Sequence, residues 1–132
     1  MVKVLVVDDN EGVLDQLTMY LQDQHEVFTA ADSEDAKVVF QNEGPDVLLV
    51  DNVLPGGRTG IDLIKDFVNS SQFCVGILMT GQSSRETILK AVRSGAFDYI
   101  EKPVERNELD GAHKTMFKFI SFDWFLNVIE SS

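Results

Sequence analysis

Short apolar runs alternate with stretches of helical periodicity along almost the whole chain. Lys3–Val7 (KVLVV) is a nearly unbroken apolar run and predicts a strand buried on both faces. Residues 11–22 carry Val13, Leu14, Leu17, Tyr20 and Leu21 at helical spacing. Glu26–Ala30 predicts a second strand, and a helix follows from a Ser33 cap to about residue 42, where Gly44-Pro45 ends it. Residues 46–50 (DVLLV) predict a third strand, residues 54–60 a Gly/Pro-rich loop, and residues 61–68 a helix with Ile61, Ile64, Phe67 and Val68 on one face. A fourth strand is predicted at 73–79, a helix at 84–94 closed by Gly95, and a fifth strand at 97–100. From about residue 106 the pattern reads as a last, long helix. Five strands alternating with five helices predict an α/β fold with three layers, a doubly wound five-stranded parallel sheet covered on both faces.

In an open sheet of this kind, sites form beyond the carboxyl ends of the strands, near the point where strand order reverses. The predicted strand ends carry an unusual set. Strand one runs into Asp8-Asp9, strand three into Asp51, strand four into Thr80-Gly81, and strand five is followed by Lys102-Pro103. Each piece has an ordinary reading as a cap, a turn or a solvated charge; the joint arrangement, each at its own strand end, is far more specific. Clustered carboxylates raise one another's pKa and need compensation by a cation or by hydrogen bonds. Hard oxygen ligands suit Mg²⁺, which binds one or two carboxylates and keeps room for phosphoryl oxygens. The metal, Lys102 and Thr80 would stabilise charge on those oxygens, and Asp51 would be a carboxylate nucleophile.

Composition narrows the partners. The 132 residues make one domain that folds without disulfide or metal, and 44% hydrophobic content argues for a real core. Acidic residues outnumber basic ones 22 to 11, and a net charge of -11 disfavours direct contact with nucleic acid. The lone Cys74 lies in an apolar run and reads as a buried bystander. No signal peptide or twenty-residue apolar span is present, so no membrane contact is expected and the default compartment is cytoplasmic. Gly56-Gly57 lacks the pattern of a phosphate-binding loop and reads as a plain turn, and His25 and His113 have no ligand spacing.

The segments VLVVDDN, DVLLVDNVLP, ILMTG and GAFDYIEKP resemble the receiver domains of two-component response regulators, the CheY-like family with a flavodoxin-like fold. The resemblance covers about residues 2–120. It implies that Asp8 and Asp9 form the acidic metal pair, Asp9 touching Mg²⁺ directly and Asp8 mostly through water. It implies that the backbone carbonyl of Val53 is a further ligand, that Asp51 is the phosphoacceptor, and that Thr80 and Lys102 bind phosphoryl oxygens. Tyr99 falls at the switch aromatic, and the Lys102–Pro103 peptide is expected to be cis. A histidine kinase or a phosphotransfer protein is the implied phosphodonor. Leu54 stands where many relatives have methionine, the loop PGGRTG is one residue longer than the commoner form, and Val53 and Gln82 occupy positions that tune phosphoryl lifetime.

The end of the chain departs from the family pattern. A receiver is expected over 1–120, with a helical extension over 121–132. Phe119, Phe122, Trp124, Phe125 and Leu126 offer more apolar surface than one sheet-facing helix can hide, so a homodimer contact or an output domain is expected through residues 117–129. Two other functions compete with a phospho-switch. An interaction module independent of phosphorylation tends to lose the site kept here. An aspartate-nucleophile phosphohydrolase of the haloacid dehalogenase type needs a second Asp two residues after the nucleophile, where this chain has Val53 or, counting from Asp8, Asn10.

Overall fold

The computed structural model describes residues 2–81 and 84–102. They form β1 (Lys3–Val7), α1 (Glu11–Leu21), β2 (Glu26–Ala30), α2 (Ser33–Glu43), β3 (Val47–Asp51), α3 (Gly60–Val68), β4 (Val75–Thr80), α4 (Arg85–Arg93) and β5 (Ala96–Glu101), with a single 3₁₀ turn at Pro55–Gly57. All strands are parallel, in the order β2-β1-β3-β4-β5. The chain leaves β1 in opposite directions along the sheet, so the reversal of strand order lies between β1 and β3. The expected last helix, the extension over 121–132 and the geometry of the Lys102–Pro103 peptide fall outside the described residues. No helix among those described is long and apolar enough to cross a membrane.

The apolar strands are two-sided, as their sequences require. Successive side chains point to opposite faces, so β1 sends Leu5 and Val7 into one core and Val4 and Val6 into the other. The first core lies beneath α2 and α3, where the Phe40 and Phe67 rings stack with centroids 4.1 Å apart. The second is covered by Leu14, Leu17 and Leu21 of α1. Strands β1 and β3 are fully buried at Val4–Val7 and Val47–Val50, which is why they carry no alternation of polar and apolar residues. Cys74 is buried, in line with its reading as a buried bystander, and burial pushes its thiol up to about 12; His25 is buried as well.

Local chemistry sets the helix starts. Asn10 caps α1 by accepting from the Gly12 and Val13 amides. Asp32, not Ser33, caps α2: its carboxylate accepts from Asp35 N at 2.8 Å, and Ser33 is the first helical residue. The correction is one position, and Asp is as good a cap as Ser. Strands β3 and β4 each start later than the apolar pattern predicts, at Val47 and Val75, and end one residue later, so Asp51 and Thr80 are themselves strand residues. Thr59 and Asp62 form a reciprocal capping box at the start of α3, with Thr59 N donating to Asp62 at 3.0 Å and Asp62 N to Thr59 Oγ1 at 3.2 Å.

The hydrogen bond from Thr59 N is the main reason the Asp62 carboxyl sits below its ordinary value of 3.8. A folded pKa below the unfolded one contributes stability that is present above the unfolded value and lost as pH falls through the folded value. Asp62→Ala is therefore expected to lower the urea midpoint at neutral pH. The difference from wild type is expected to shrink once pH drops below the usual carboxylate range. Urea titrations at pH 7 and at pH 3 check both statements.

Candidate phosphoacceptor and metal site

Of the residues singled out at the strand ends, Asp8, Asp9, Asp51 and Lys102 meet at the β1/β3 switch point. Carboxylate oxygens of Asp8, Asp9 and Asp51 lie within 4.8 Å of one another. Asp8 is completely buried, Asp51 is buried and Asp9 is exposed. Lys102 Nζ donates to Asp8 Oδ2 at 2.8 Å and lies 3.3 Å from Asp51 Oδ1. One ammonium thus bridges two carboxylates at the ends of β1 and β3.

Backbone geometry delivers each group. Asp8 N donates to Ala30 O at 3.1 Å, extending the β1–β2 ladder one residue past the strand, while Asp8 Oδ1 accepts from Asn10 N at 2.9 Å. That turn sends the chain into α1 and leaves Asp9 facing solvent. Lys102 N donates to Thr80 O at 2.8 Å, so the lysine is held at the end of the β4–β5 ladder. Asp51 pairs in register with Met79, and the buried Thr80 is the next residue along β4. Tyr99 pairs with Leu78, three residues before Lys102, and packs half-buried against the core beneath α3. Val53 is exposed, two residues past Asp51, and forms an isolated antiparallel bridge with Thr59. Gln82 lies outside the described residues.

Gly60 is a determinant that the hydrophobic pattern did not reveal. A Cβ on Gly60 would lie 2.3 Å from the Asp51 carbonyl oxygen, so only glycine lets the start of α3 close against the acceptor strand. Gly60 N also donates to Asn52 O at 3.0 Å. The signal available in the sequence was the Thr59-x-x-Asp62 box, which fixes the helix start at Gly60.

The electrostatics follow from crowding. Burial, then the neighbouring Asp8, push the Asp51 carboxyl above its ordinary value, while Lys102 pulls it partly back. Burial works against the Lys102 ammonium, but the hydrogen bond to Asp8 and the charges of Asp51 and Asp8 together hold its pKa above the usual lysine value. Three carboxylates face one ammonium, and the one exposed member, Asp9, leaves the cluster open to solvent. This donor set fits Mg²⁺: hard oxygens, few enough to leave positions for water, and an uncompensated negative charge.

A family profile for the response regulator receiver domain matches residues 4–114. The chain belongs to the receiver domain family of two-component response regulators. Solved receiver structures agree. The BeF3-activated receiver domain of DrrB superposes with a TM-score of 0.78 at 27% identity, covering 96% of this chain and 98% of that one. The chemotaxis protein CheY4 of Vibrio cholerae superposes with a TM-score of 0.77 at 30% identity, covering 92% and 97%. The chain of DrrB from Thermotoga maritima, an OmpR/PhoB homologue, gives a TM-score of 0.70 at 31% identity over 78% of this chain, which spans 46% of that longer chain. Receivers accept phosphoryl groups in two-component signalling, interact with histidine kinases or phosphotransfer proteins, and characteristically bind Mg²⁺ at an acidic pocket of the kind seen here.

The raised pKa of Asp51 has a direct consequence for this receiver. A carboxyl whose folded pKa exceeds the unfolded one contributes stability only while protonated, and that contribution is lost as pH rises through the folded value. At neutral pH, with divalent cations chelated, Asp51→Asn is therefore expected to raise the thermal midpoint above wild type. Calorimetry in a chelating buffer checks this, and a lowered midpoint would show that Asp51 is compensated more fully than its surroundings indicate.

Proposed function

We propose that Asp51 of this receiver takes a phosphoryl group from a histidine kinase or a phosphotransfer protein, in the cytoplasm, and that Mg²⁺ is required. The Lys102 ammonium, 3.3 Å from Asp51 Oδ1, supports this reading, because it sets a cation beside a buried carboxyl at a strand end, where the same ammonium could hold a phosphoryl oxygen. Asp9, Asp51 and the Val53 carbonyl would ligate the metal. Asp8, whose two oxygens are engaged by Lys102 and Asn10 N, would act through water. Bound Mg²⁺ would neutralise charge that develops on the phosphoryl oxygens.

In the transfer step an Asp51 carboxylate oxygen attacks phosphorus. The P–N bond of the phosphohistidine breaks, and its electron pair leaves with the imidazole, which takes up a proton. Lys102 and Thr80 hold the equatorial oxygens by charge and by hydrogen bond. The chain thereby supplies its own catalytic groups for phosphotransfer and, with water as nucleophile, for dephosphorylation. Val53 offers no polar side chain to orient that water. Asp51→Asn is expected to abolish incorporation of phosphoryl from a small phosphodonor, and chelation is expected to do the same to wild type. Mass spectrometry of the intact chain reads both, and undiminished labelling of the Asn variant would remove Asp51 from the role.

The switch would run from Thr80 to Tyr99. Thr80 lies on β4 beside the acceptor, and Tyr99 lies on the adjoining β5, so movement of the hydroxyl toward a phosphoryl oxygen opens space that the ring can enter. The face built on α4 and β5 then changes shape, and a partner that prefers one shape shifts the equilibrium. Leu89, Val92 and Phe97 give this face an exposed apolar character. Thr80→Ala is expected to leave Asp51 reactive while removing the dependence of partner affinity on phosphorylation. Labelling of Thr80→Ala alongside partner titrations of its two forms separates these effects. Equal partner affinity for both forms of the wild type would favour an interaction module that does not use phosphorylation.

A further inference from the structure

The loop between β3 and α3 is longer than the commoner receiver form and is intrinsically slack. Gly56 and Gly57 both have positive φ, at 88° and 85°, and no neighbouring atom would meet a Cβ on either. Two such residues in succession give the loop many conformations of similar energy. Yet Val53, which the proposed reading makes a metal ligand, begins this loop. Its carbonyl can hold an ion at one position only if the loop is held in one conformation.

The far end of the loop is tied down. Val53 bridges Thr59, Gly60 N bonds to Asn52 O at 3.0 Å, and Arg58 Nη2 pairs with Asp66 Oδ2. Asp66 is not a neighbour in sequence; it lies on α3, one helical turn beyond the capping residue Asp62. Asp62 and Asp66 therefore share a face at i, i+4, where like charges repel. Arg58 lies over this face: it is paired with Asp66, and its charge contributes to holding the Asp62 carboxyl low, after the hydrogen bonds from Thr59.

We propose that the Arg58–Asp66 pair is a strap that positions the Val53 carbonyl for the metal, making Arg58 a positioning residue rather than a ligand. The inference rests on the assignment of Asp51 and Val53 to the Mg²⁺ site. Both partners are about half exposed, with side chains 40% and 46% accessible, so the pair adds little to global stability. Its effect is on the loop. With the strap, the Val53 segment is ordered before the ion arrives; without it, the ion must order the glycine loop as it binds, and affinity falls.

The test uses the full chain, Mg²⁺ titrated calorimetrically, melting in chelator, and phosphoryl labelling from a small donor. Arg58→Ala and Asp66→Ala are each expected to raise the Mg²⁺ concentration for half-saturation about threefold, within the range of an exposed ion pair. The double variant is expected to do no worse than either single one, because both remove the same pair. Arg58→Lys is expected to recover part of the loss. The labelling rate at saturating Mg²⁺ and the melting temperature in chelator are expected to match wild type, which a merely structural role would not produce. Unchanged half-saturation in both single variants, with wild type binding Mg²⁺ and labelled at Asp51, overturns the strap and leaves the site assignment standing. A wild type that does not bind Mg²⁺ overturns both.

Discussion

Everything at the carboxyl edge of this sheet answers to one electrostatic constraint: three carboxylates held within 4.8 Å of one another, two of them buried. Left alone, such a cluster would resolve itself by protonation or by moving apart. The fold prevents the second. Asp8 and Asp51 are anchored at the ends of β1 and β3, interior strands paired on both sides and buried at Val4–Val7 and Val47–Val50. What remains is compensation by cations, and among the described residues Lys102 provides it. Lys102 reaches the cluster from the end of β5, two strands away from β3, and contacts both buried carboxylates.

The surrounding structure can be read as the means of keeping that arrangement in place. Apolar strands need helices on both faces, and the helical crossovers between parallel strands bring every strand's carboxyl end to the same edge. Gly60 lets α3 close against the Asp51 carbonyl, and the capping box of Thr59 and Asp62 begins that helix on the correct residue. Asn10 serves twice: its amide donates to Asp8, and its side chain caps α1. Lys102 is fixed through its backbone to Thr80, so the cation and the residue at the end of β4 are not independent of one another.

Much of this was legible in the sequence, for physical reasons. The five strands and four of the helices stand where hydrophobic periodicity places them, because burial on two faces demands continuous apolar runs and burial on one face demands helical spacing. The convergence of Asp8, Asp9, Asp51 and Lys102 followed from parallel topology, which brings the strand ends to one edge. The misjudged details were local. Asp32 and Ser33 are equivalent as caps in a composition-based reading, and only backbone dihedrals choose between them. Strands β3 and β4 each extend one residue past their apolar run because the ladder continues into the polar residues of the site. Close approach of Gly60 to Asp51 and the pairing of Arg58 with Asp66 depend on tertiary geometry, and no periodicity encodes either.

The same crowding explains how a small covalent change could be felt at a distance. On the proposed reading, phosphorylation replaces the carboxylate of Asp51 with a group of greater charge and more acceptor oxygens. Lys102 now divides one positive charge between Asp8 and Asp51, with the shorter contact to Asp8. Added negative charge on Asp51 changes that division in favour of the acceptor, and Lys102 cannot move freely, because its amide is bonded to Thr80 O. A pull on the lysine is therefore a pull on the β4–β5 ladder, where Thr80 is opposite Glu101 and Leu78 is opposite Tyr99. β5 is the edge strand of the sheet, bonded to a described strand on one side alone, and its central residues Phe97, Asp98 and Tyr99 are exposed or half-buried. An edge strand with few buried side chains is the part of such a sheet that shifts at least cost. On the proposed reading, the site thus joins charges held at the ends of buried strands to a cation carried at the end of an edge strand.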